Sequence, residues 1–417
     1  MMTLDVLDNG LRIATEVMPN IHSAAFALAV SVGARHEEAS DGGLSHMLEH
    51  MAFKGTAKMN ARQIAEAFDK MGGNVNAYTS HEHTVYYAKV LKEYADDALA
   101  LLCDIMRNST FDQAELERER EVILQEIAMN HDSSDDLVFD MSQESSFGLQ
   151  PLGRPILGAP ERVSTFSRDD LVRYTTQHYQ PNRITLGAAG AIDAAKVKTI
   201  MTRYFADMPR GTAPIILQAN HECLVKTLEK DLEQIQIVLG FPSVAVTHAD
   251  FPKVQVLSTI LGGGMSSRLF QEVRERLGLA YSVSSFVSAY QDTGILGIYA
   301  GTTQEHMDEL LIAMRKVLRG LHDVSSEELL RAKNQFKAGL VMSRESSGRI
   351  AEWMARHLHI YGRVRSAEEM IAEIDAITTS DIVTLASAYL AHPTPAIAAI
   401  GPHGSLEGVK LQERLAA

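Results

Sequence analysis

The chain is poor in cysteine and in basic residues. Cys103 and Cys223 are the whole cysteine content of 417 residues, too few for a framework of disulfide bonds. Cys103 lies in the apolar run 98–106, which predicts a buried thiol and favours a reducing compartment. Lys and Arg number 39 against 53 Asp and Glu, so the formal charge is −14. A surface with this charge disfavours nucleic acid and anionic membranes as partners and attracts basic ligands.

Long hydrophobic runs are also missing. The longest, 24–32 and 184–192, have about half of the ~20 residues that cross a bilayer. Residues 1–20 alternate like a strand and carry Asp5, Asp8 and Glu16, a pattern that matches neither a signal peptide nor an Arg-rich transit peptide. We therefore expect a cytoplasmic protein without a membrane partner, with the mitochondrial matrix as the open alternative.

An internal repeat divides the chain in two. Segment 170–190 resembles segment 381–401, and each runs from a helix-period stretch into an apolar strand that ends in glycine. A Pro/Gly cluster at 208–214 suits a linker between the halves. We predict an α+β fold built by duplication, in which each half is a mostly antiparallel sheet packed against helices. The predicted domains are 1–214 and 215–417.

The clearest chemical signal is the pattern H-x-x-E-H at residues 46–50, inside a predicted helix that runs to Ala52. At about 100° per residue, His46, Glu49 and His50 share one side of that helix. Two histidines at i and i+4 can hold one metal ion, and the glutamate can hold its water. The alternative is a helix with two solvated histidines.

A catalytic zinc needs a third protein ligand and one open position. Glu126 is a candidate, and in the predicted helix 112–130 it shares a stripe with Glu119 and Glu115. Carboxylates so aligned repel one another without a counter-charge. The alternative for this stripe is a solvated acidic face, relieved by Arg118 and Arg120.

Together these motifs resemble the inverted-zinc-motif, or pitrilysin-like, metallopeptidases, in particular the β subunit of the mitochondrial processing peptidase and its bacterial relatives. The resemblance covers nearly the whole chain and rests on segments 43–56, 74–90, 119–127 and 262–283. It implies a zinc endopeptidase with one Zn2+ per chain. It also implies roles for the residues of the first half: zinc ligands His46, His50 and Glu126, general base Glu49, and supporting carboxylate Glu119.

The resemblance further implies how a peptide substrate binds. Segment 74–78 is similar to the family's edge strand, where Asn76 and Ala77 contact an extended peptide by β-augmentation. Phe53 matches a residue that lines the pocket after the scissile bond, and its alternative is a core aromatic. The neighbouring His81 and His83 are expected to be solvated turn residues.

Two more pairs take their roles from the resemblance. Asp136 and Asp140 correspond to an acidic pair that holds an arginine of the substrate, with a solvated acidic patch as the alternative. Arg274 and Tyr281 stand where the family carries an Arg/Tyr pair that holds the carbonyl region and the developing oxyanion. Their alternative is a helix-end arginine and a core tyrosine.

The second half has no H-x-x-E-H, and the duplication is expected to place segment 266–272 at that point. We therefore expect this half to cover the substrate without a metal of its own. Family members enclose short or unfolded peptides in a chamber of four such layers, so this chain is expected to form a homodimer, with Arg274 and Tyr281 acting on the partner's site. The competing readings are a non-catalytic scaffold subunit and a zinc-stabilised binding module.

Overall fold

The computed structural model describes residues 2–212, 216–390 and 394–406. Its strands are β1 (Met2–Val6), β2 (Arg12–Val17), β3 (Ser23–Val30), β4 (Asn74–Thr79), β5 (Thr84–Leu91), β6 (Ile184–Gly190), β7 (Val225–Glu229), β8 (Ile235–Ser243), β9 (Ala280–Ala289), β10 (Gly294–Thr302) and β11 (Ala396–Gly401). The predicted boundary at 214–215 lies outside the described residues.

The helices of the described residues alternate with these strands, and a π-helical turn spans Phe270–Arg276. The α-helices are α1 (Leu44–Ala52), α2 (Ala61–Lys70), α3 (Ala95–Arg107), α4 (Gln113–Asp132), α5 (Ser134–Phe147), α6 (Pro160–Val163), α7 (Arg168–His178), α8 (Ala194–Phe205), α9 (Phe251–Gly262), α10 (Met307–Arg319), α11 (Ser326–Ser343), α12 (Ser347–Tyr361), α13 (Ala367–Ala376) and α14 (Thr379–Leu390).

Two compact units divide the chain, and each contains a segment from the other half of the sequence. Unit 1 consists of Met1–Ala128, Pro155–Leu217 and Val341–Arg365, and unit 2 of Met129–Arg154, Gln218–Leu340 and Ser366–Ala417. Unit 1 therefore includes α12 from the second half, and unit 2 includes α5 from the first. The domain limits 1–214 and 215–417 stay a prediction, to which the structure adds this exchange of helices.

Within the described residues each unit is built on one sheet, and the five strands of the second sheet follow the same order as five of the six strands of the first, β1 being the extra strand. In unit 1 the order is β1-β2-β6-β3-β5-β4, and in unit 2 it is β7-β11-β8-β10-β9. The pairs β2/β6 and β7/β11 are parallel, and the other pairs are antiparallel. The prediction of an α+β fold with two related, mostly antiparallel sheets is confirmed.

The sheet of unit 1 is buried on both faces, and its composition differs between them. Alternate residues of β3 belong to different cores, so Phe26 and Leu28 pack against one set of helices while Ala25 and Ala27 pack against α12. The small residues on this second face let α12 lie close to the sheet. At Gly187 a Cβ would lie 1.9 Å from the carbonyl oxygen of Ala351 in α12, so only glycine fits there.

Chain order identifies α9 as the counterpart of α1. Each follows the long central strand of its sheet, β3 or β8, and precedes the edge hairpin, β4–β5 or β9–β10. The expectation that segment 266–272 is the counterpart of the H-x-x-E-H helix is therefore wrong. Residues 270–276 form the π-helical turn, which stands at the place of α2.

Candidate metal centre

The N-terminus of α1 is held by a buried carboxylate outside the helix. Gly43 precedes the helix with φ +96°, a conformation that glycine tolerates, and it has no side chain that could cap the helix. Glu37 supplies the cap instead, because its carboxylate accepts the N–H of Gly43 at 2.9 Å and that of Ser45 at 2.7 Å. Burial raises the pKa of Glu37 to about 7, against the opposing effect of these hydrogen bonds.

The structure brings the three predicted metal ligands together. His46 and His50 lie one turn apart on α1, and their rings meet edge to face with centroids 4.7 Å apart. Oε2 of Glu126, from α4, lies 3.7 Å from Nε2 of His46 and 3.6 Å from Nε2 of His50. Within the described residues this is the single group of His, Cys, Asp and Glu whose ligand atoms all lie within 4.8 Å of one another.

The electrostatics of these residues suit a divalent cation. Oε2 of Glu126 is buried without a hydrogen-bond partner among the described residues, an arrangement that costs free energy unless a cation is bound. Burial, together with the nearby His50, lowers the pKa of His46 to about 3, so its imidazole is neutral and its lone pair is available. Two imidazoles and one carboxylate are a donor set that zinc accepts, with a fourth position left open.

A second carboxylate orients one of the histidines. Nδ1 of His50 lies 2.9 Å from Oε2 of Glu119, a hydrogen bond that turns Nε2 toward Glu126. Oε1 of Glu119 pairs with Nζ of Lys54 at 2.7 Å. Burial by itself would raise the pKa of Glu119, but the bonds from His50 and Lys54 outweigh it and hold the pKa below its ordinary value. Glu119 is 6% exposed, so the solvated-face alternative is wrong for this residue.

The proposed base lies on the same side of α1 and is held by a strand. Oε2 of Glu49 accepts the hydroxyl of Thr79, the last residue of β4, at 2.7 Å. Burial raises the pKa of Glu49, although the bond from Thr79 opposes the rise. A carboxylate with a raised pKa next to a metal site can take a proton from water and return it.

The predicted substrate strand lies at the edge of its sheet. In the described residues β4 pairs with β5 alone, with Ala77 opposite Tyr86. Asn76 is exposed and accepts the N–H of Ala77 through its own side-chain oxygen at 2.9 Å. His83 is less solvated than expected, because it is partly buried with its ring centroid 6.0 Å from that of Tyr78, and burial lowers its pKa to about 3. Phe53 follows α1, is partly buried, and packs against Tyr86 with ring centroids 6.3 Å apart.

Unit 2 holds the other predicted residues. The Arg274 guanidinium lies 4.5 Å from the ring centre of Tyr281 and 4.7 Å from that of Phe270, so the predicted pair is together. Arg274 belongs to the π-helical turn, and Tyr281 is 76% exposed. On α5, burial and the neighbouring Asp136 raise the pKa of Asp140 to about 6, which agrees with one shared helical face.

Three residues at this site escaped the sequence reasoning. Lys54 stands four residues after His50. The aligned glutamates of α4 need a positive charge nearby, and this need was the signal that could have pointed to a lysine. Thr79 is one residue past the predicted strand end at Tyr78. Glu37 carries no local signal, because its partners Gly43 and Ser45 lie six and eight residues away.

Comparison with known proteins identifies the family. Residues 12–160 match the sequence family described as insulinase, peptidase family M16. Residues 165–336 match the family described as the peptidase M16 inactive domain. An uncharacterized zinc protease of Rickettsia felis is 39% identical over 399 residues, which cover 95% of this chain and 97% of the relative. The chain belongs to peptidase family M16. The resemblance predicted from the motifs is thereby confirmed.

Other M16 relatives agree in sequence and in fold. The uncharacterized zinc protease YmxG of Bacillus subtilis is 38% identical, with 95% of this chain and 98% of the relative covered. A probable β subunit of the mitochondrial processing peptidase from Arabidopsis thaliana is 34% identical, with 95% and 77% covered. The crystal structure of a protease from Helicobacter pylori has a TM-score of 0.88 at 22% identity, with 96% and 99% covered, and shows the same fold. Along the described part of the chain, no helix combines the length and apolar composition needed to cross a bilayer.

Proposed function

We propose that this chain is a zinc endopeptidase that hydrolyses extended, unfolded peptides. The observation that carries the proposal is the convergence of His46, His50 and Glu126, with Glu49 beside them on the same helix. The names of the relatives, which include several zinc proteases, support the same chemistry.

The residues of this chain divide the work of hydrolysis. When bound, zinc supplies Lewis acidity that polarises a carbonyl and acidifies water. Glu49 takes the proton of the attacking water and delivers it to the leaving amine, a task that its raised pKa suits. The edge strand β4 orients the peptide by backbone pairing. Arg274 and Tyr281 offer a guanidinium and a phenol to the developing oxyanion.

The substrate is proposed to be basic. The formal charge of −14 favours cationic peptides, and Asp136 and Asp140 provide two neighbouring carboxylates for an arginine side chain. A peptide that pairs with an edge strand must be extended, so a segment inside a stable domain is excluded.

We propose further that two copies of the chain form the working enzyme. The described residues of one chain form two sheets, whereas the family resemblance implies a chamber of four layers. Arg274 and Tyr281 are then available to the partner's metal centre. Mixing Glu49→Gln chains with Arg274→Ala chains tests this, because a mixed dimer regains one complete site. Mixtures that stay as inactive as either parent contradict action across the dimer.

The proposed activity is tested by profiling cleavage of a peptide library with wild-type and Glu49→Gln protein. Wild type is expected to cleave next to arginine, and a chelator is expected to stop it. Glu49→Gln is expected to keep its zinc and lose roughly 100- to 10,000-fold in kcat. Placing a cleaved peptide inside a stable domain should protect it. Zinc binding with no cleavage of any peptide would instead favour the scaffold function.

A further inference from the structure

The edge strand and the proposed base are joined by one hydroxyl. Oγ1 of Thr79 donates to Oε2 of Glu49 at 2.7 Å, and the backbone N–H of Thr79 acts on the same carboxylate. Thr79 is the last residue of β4, and Glu49 lies near the middle of α1. A glutamate side chain has several rotatable bonds, so a fixed donor at its tip selects one orientation of the carboxylate.

The pairing of β4 shows what else this part of the strand does. The N–H of Ser80 donates to the carbonyl of His83, beyond the strand end, and hydrogen-bonded pairs alternate along an antiparallel ladder. In the register Thr79↔Thr84 and Ala77↔Tyr86, the backbone groups of Ala77 and Thr79 therefore face away from β5, toward the open edge. An added peptide strand would pair with Ala77, in place of the Asn76 side chain that now accepts its N–H, and with the carbonyl of Thr79, since the N–H of Thr79 is directed to Glu49.

We propose that Thr79 is a positioning residue, which fixes the carboxylate of Glu49 relative to a peptide paired with β4. This inference rests on the proposed function. The strand that would receive the scissile region also anchors the group that handles the proton, so the base and the substrate share one rigid element. Without the hydroxyl, the backbone N–H of Thr79 remains as a weaker restraint, and Glu49 can turn away from the attacking water.

The inference predicts a loss in kcat with KM unchanged. Misplacing a catalytic group by about 1 Å costs up to roughly 100-fold in rate, so Thr79→Val is expected to lower kcat by about 10- to 100-fold. Valine has the shape of threonine, which preserves the strand. Serine restores the hydroxyl, so Thr79→Ser is expected to recover most of kcat.

The cross-strand neighbour Thr84 provides the matched control. Thr84 pairs with Thr79 in the register, is fully buried, and gives its hydroxyl to the carbonyl of Val32 at 3.0 Å, away from Glu49. Thr84→Val removes a hydroxyl from the same hairpin and is expected to leave kcat unchanged, even where it lowers Tm. Zinc per chain and Tm are measured for each variant, and zinc content is expected to equal that of wild type.

The outcomes separate this inference from the proposed function. A wild-type chain that cleaves peptides, with Thr79→Val as active as wild type, overturns the positioning role alone. The same holds if Thr79→Ser is as slow as Thr79→Val, or if Thr84→Val loses as much kcat as Thr79→Val, since the cause is then the hairpin. A wild-type chain that holds zinc and cleaves nothing overturns the proposed function and this inference with it.

Discussion

Helices α1 and α9 occupy the same place in two related sheets and differ in what they carry. The polar stripe of α1 holds His46, Glu49 and His50, whereas the sequence of α9 contains no His, Asp or Glu. The role of α9 is to pack in the core, where its residues Val256, Leu257 and Leu261 are buried. One architecture therefore serves both halves. The chemistry depends on a few side chains and on the neighbours that form hydrogen bonds and ion pairs with them.

Loss of a metal ligand should remove the chemical difference between the two halves most completely. Glu126→Gln takes away the carboxylate that faces both imidazoles, so we expect zinc affinity to fall by more than about 100-fold and peptide cleavage to disappear. Zinc competition with a chromophoric chelator measures the first effect. Glu121→Gln alters an exposed glutamate of the same helix and should change neither quantity. Wild-type zinc affinity in Glu126→Gln would contradict the assignment of this ligand.

Residues that orient the ligands should affect zinc affinity less than the ligands themselves. Glu119→Gln weakens the bond that orients His50, and we expect zinc affinity to fall by roughly 10- to 100-fold. Lys54→Met leaves the Glu119 charge without its cation and should have a smaller effect of the same sign. The matched control is Lys70→Met, at an exposed lysine of α2. Equal zinc affinity in Lys54→Met and Lys70→Met would show that the ion pair does not act on the metal centre.

The start of α1 should give a smaller change. Glu37→Gln replaces a carboxylate that accepts two backbone N–H groups with an amide that has one acceptor oxygen. We expect zinc affinity to fall a few-fold, up to about tenfold, and the amide of Ser45 to exchange its hydrogen faster. Glu38→Gln, at the exposed neighbour, is the control. Unchanged exchange at Ser45 would show that Glu37 is dispensable for the helix end.

Acid should act on unit 1 through histidines outside the metal centre. Burial lowers the pKa of His36 and of His83 to about 3, below the ordinary 6.5. Between these two pH values the unfolded chain therefore binds more protons than the folded one. The contribution of the two neutral histidines to the free energy of unfolding is complete above about pH 6.5 and is lost as pH falls toward 3. The free energy of unfolding should fall by on the order of 1 kcal/mol per pH unit for each histidine. Denaturant titrations from pH 7 to 4 measure the slope, and His83→Gln should flatten it. A slope that the substitution leaves unchanged would exclude His83 as its source.

Local features of the structure were largely predictable from the sequence. Asn60 and Gln63 cap α2, and Ser133 caps α5, in each case through residues within three positions of the helix start. The expected edge strand at 74–78 is present as β4, which extends one residue farther, to Thr79. These elements depend on contacts between residues a few positions apart, so their signals lie in short stretches of sequence.

Features that depend on distant contacts were missed or misplaced. The exchange of α5 and α12 between units follows from which sheet offers small residues at the right face, such as Gly187 under Ala351. The counterpart of α1 in the second half became visible only from the order of strands and helices in the two sheets. Lys54, Thr79 and Glu37 became visible only with their partners in place.

The stripe of His46, Glu49 and His50 follows from the amino-acid sequence alone, because helical geometry places residues i, i+3 and i+4 on one side whatever surrounds them. The contacts of this stripe depend on the tertiary fold. Glu126 lies next to both histidines, Glu119 bonds to His50 from 69 residues away in the sequence, and Thr79 bonds to Glu49 from 30 residues away. The reason is physical: helix periodicity comes from the backbone, whereas convergence of α1, α4 and β4 comes from burying their apolar faces in one core.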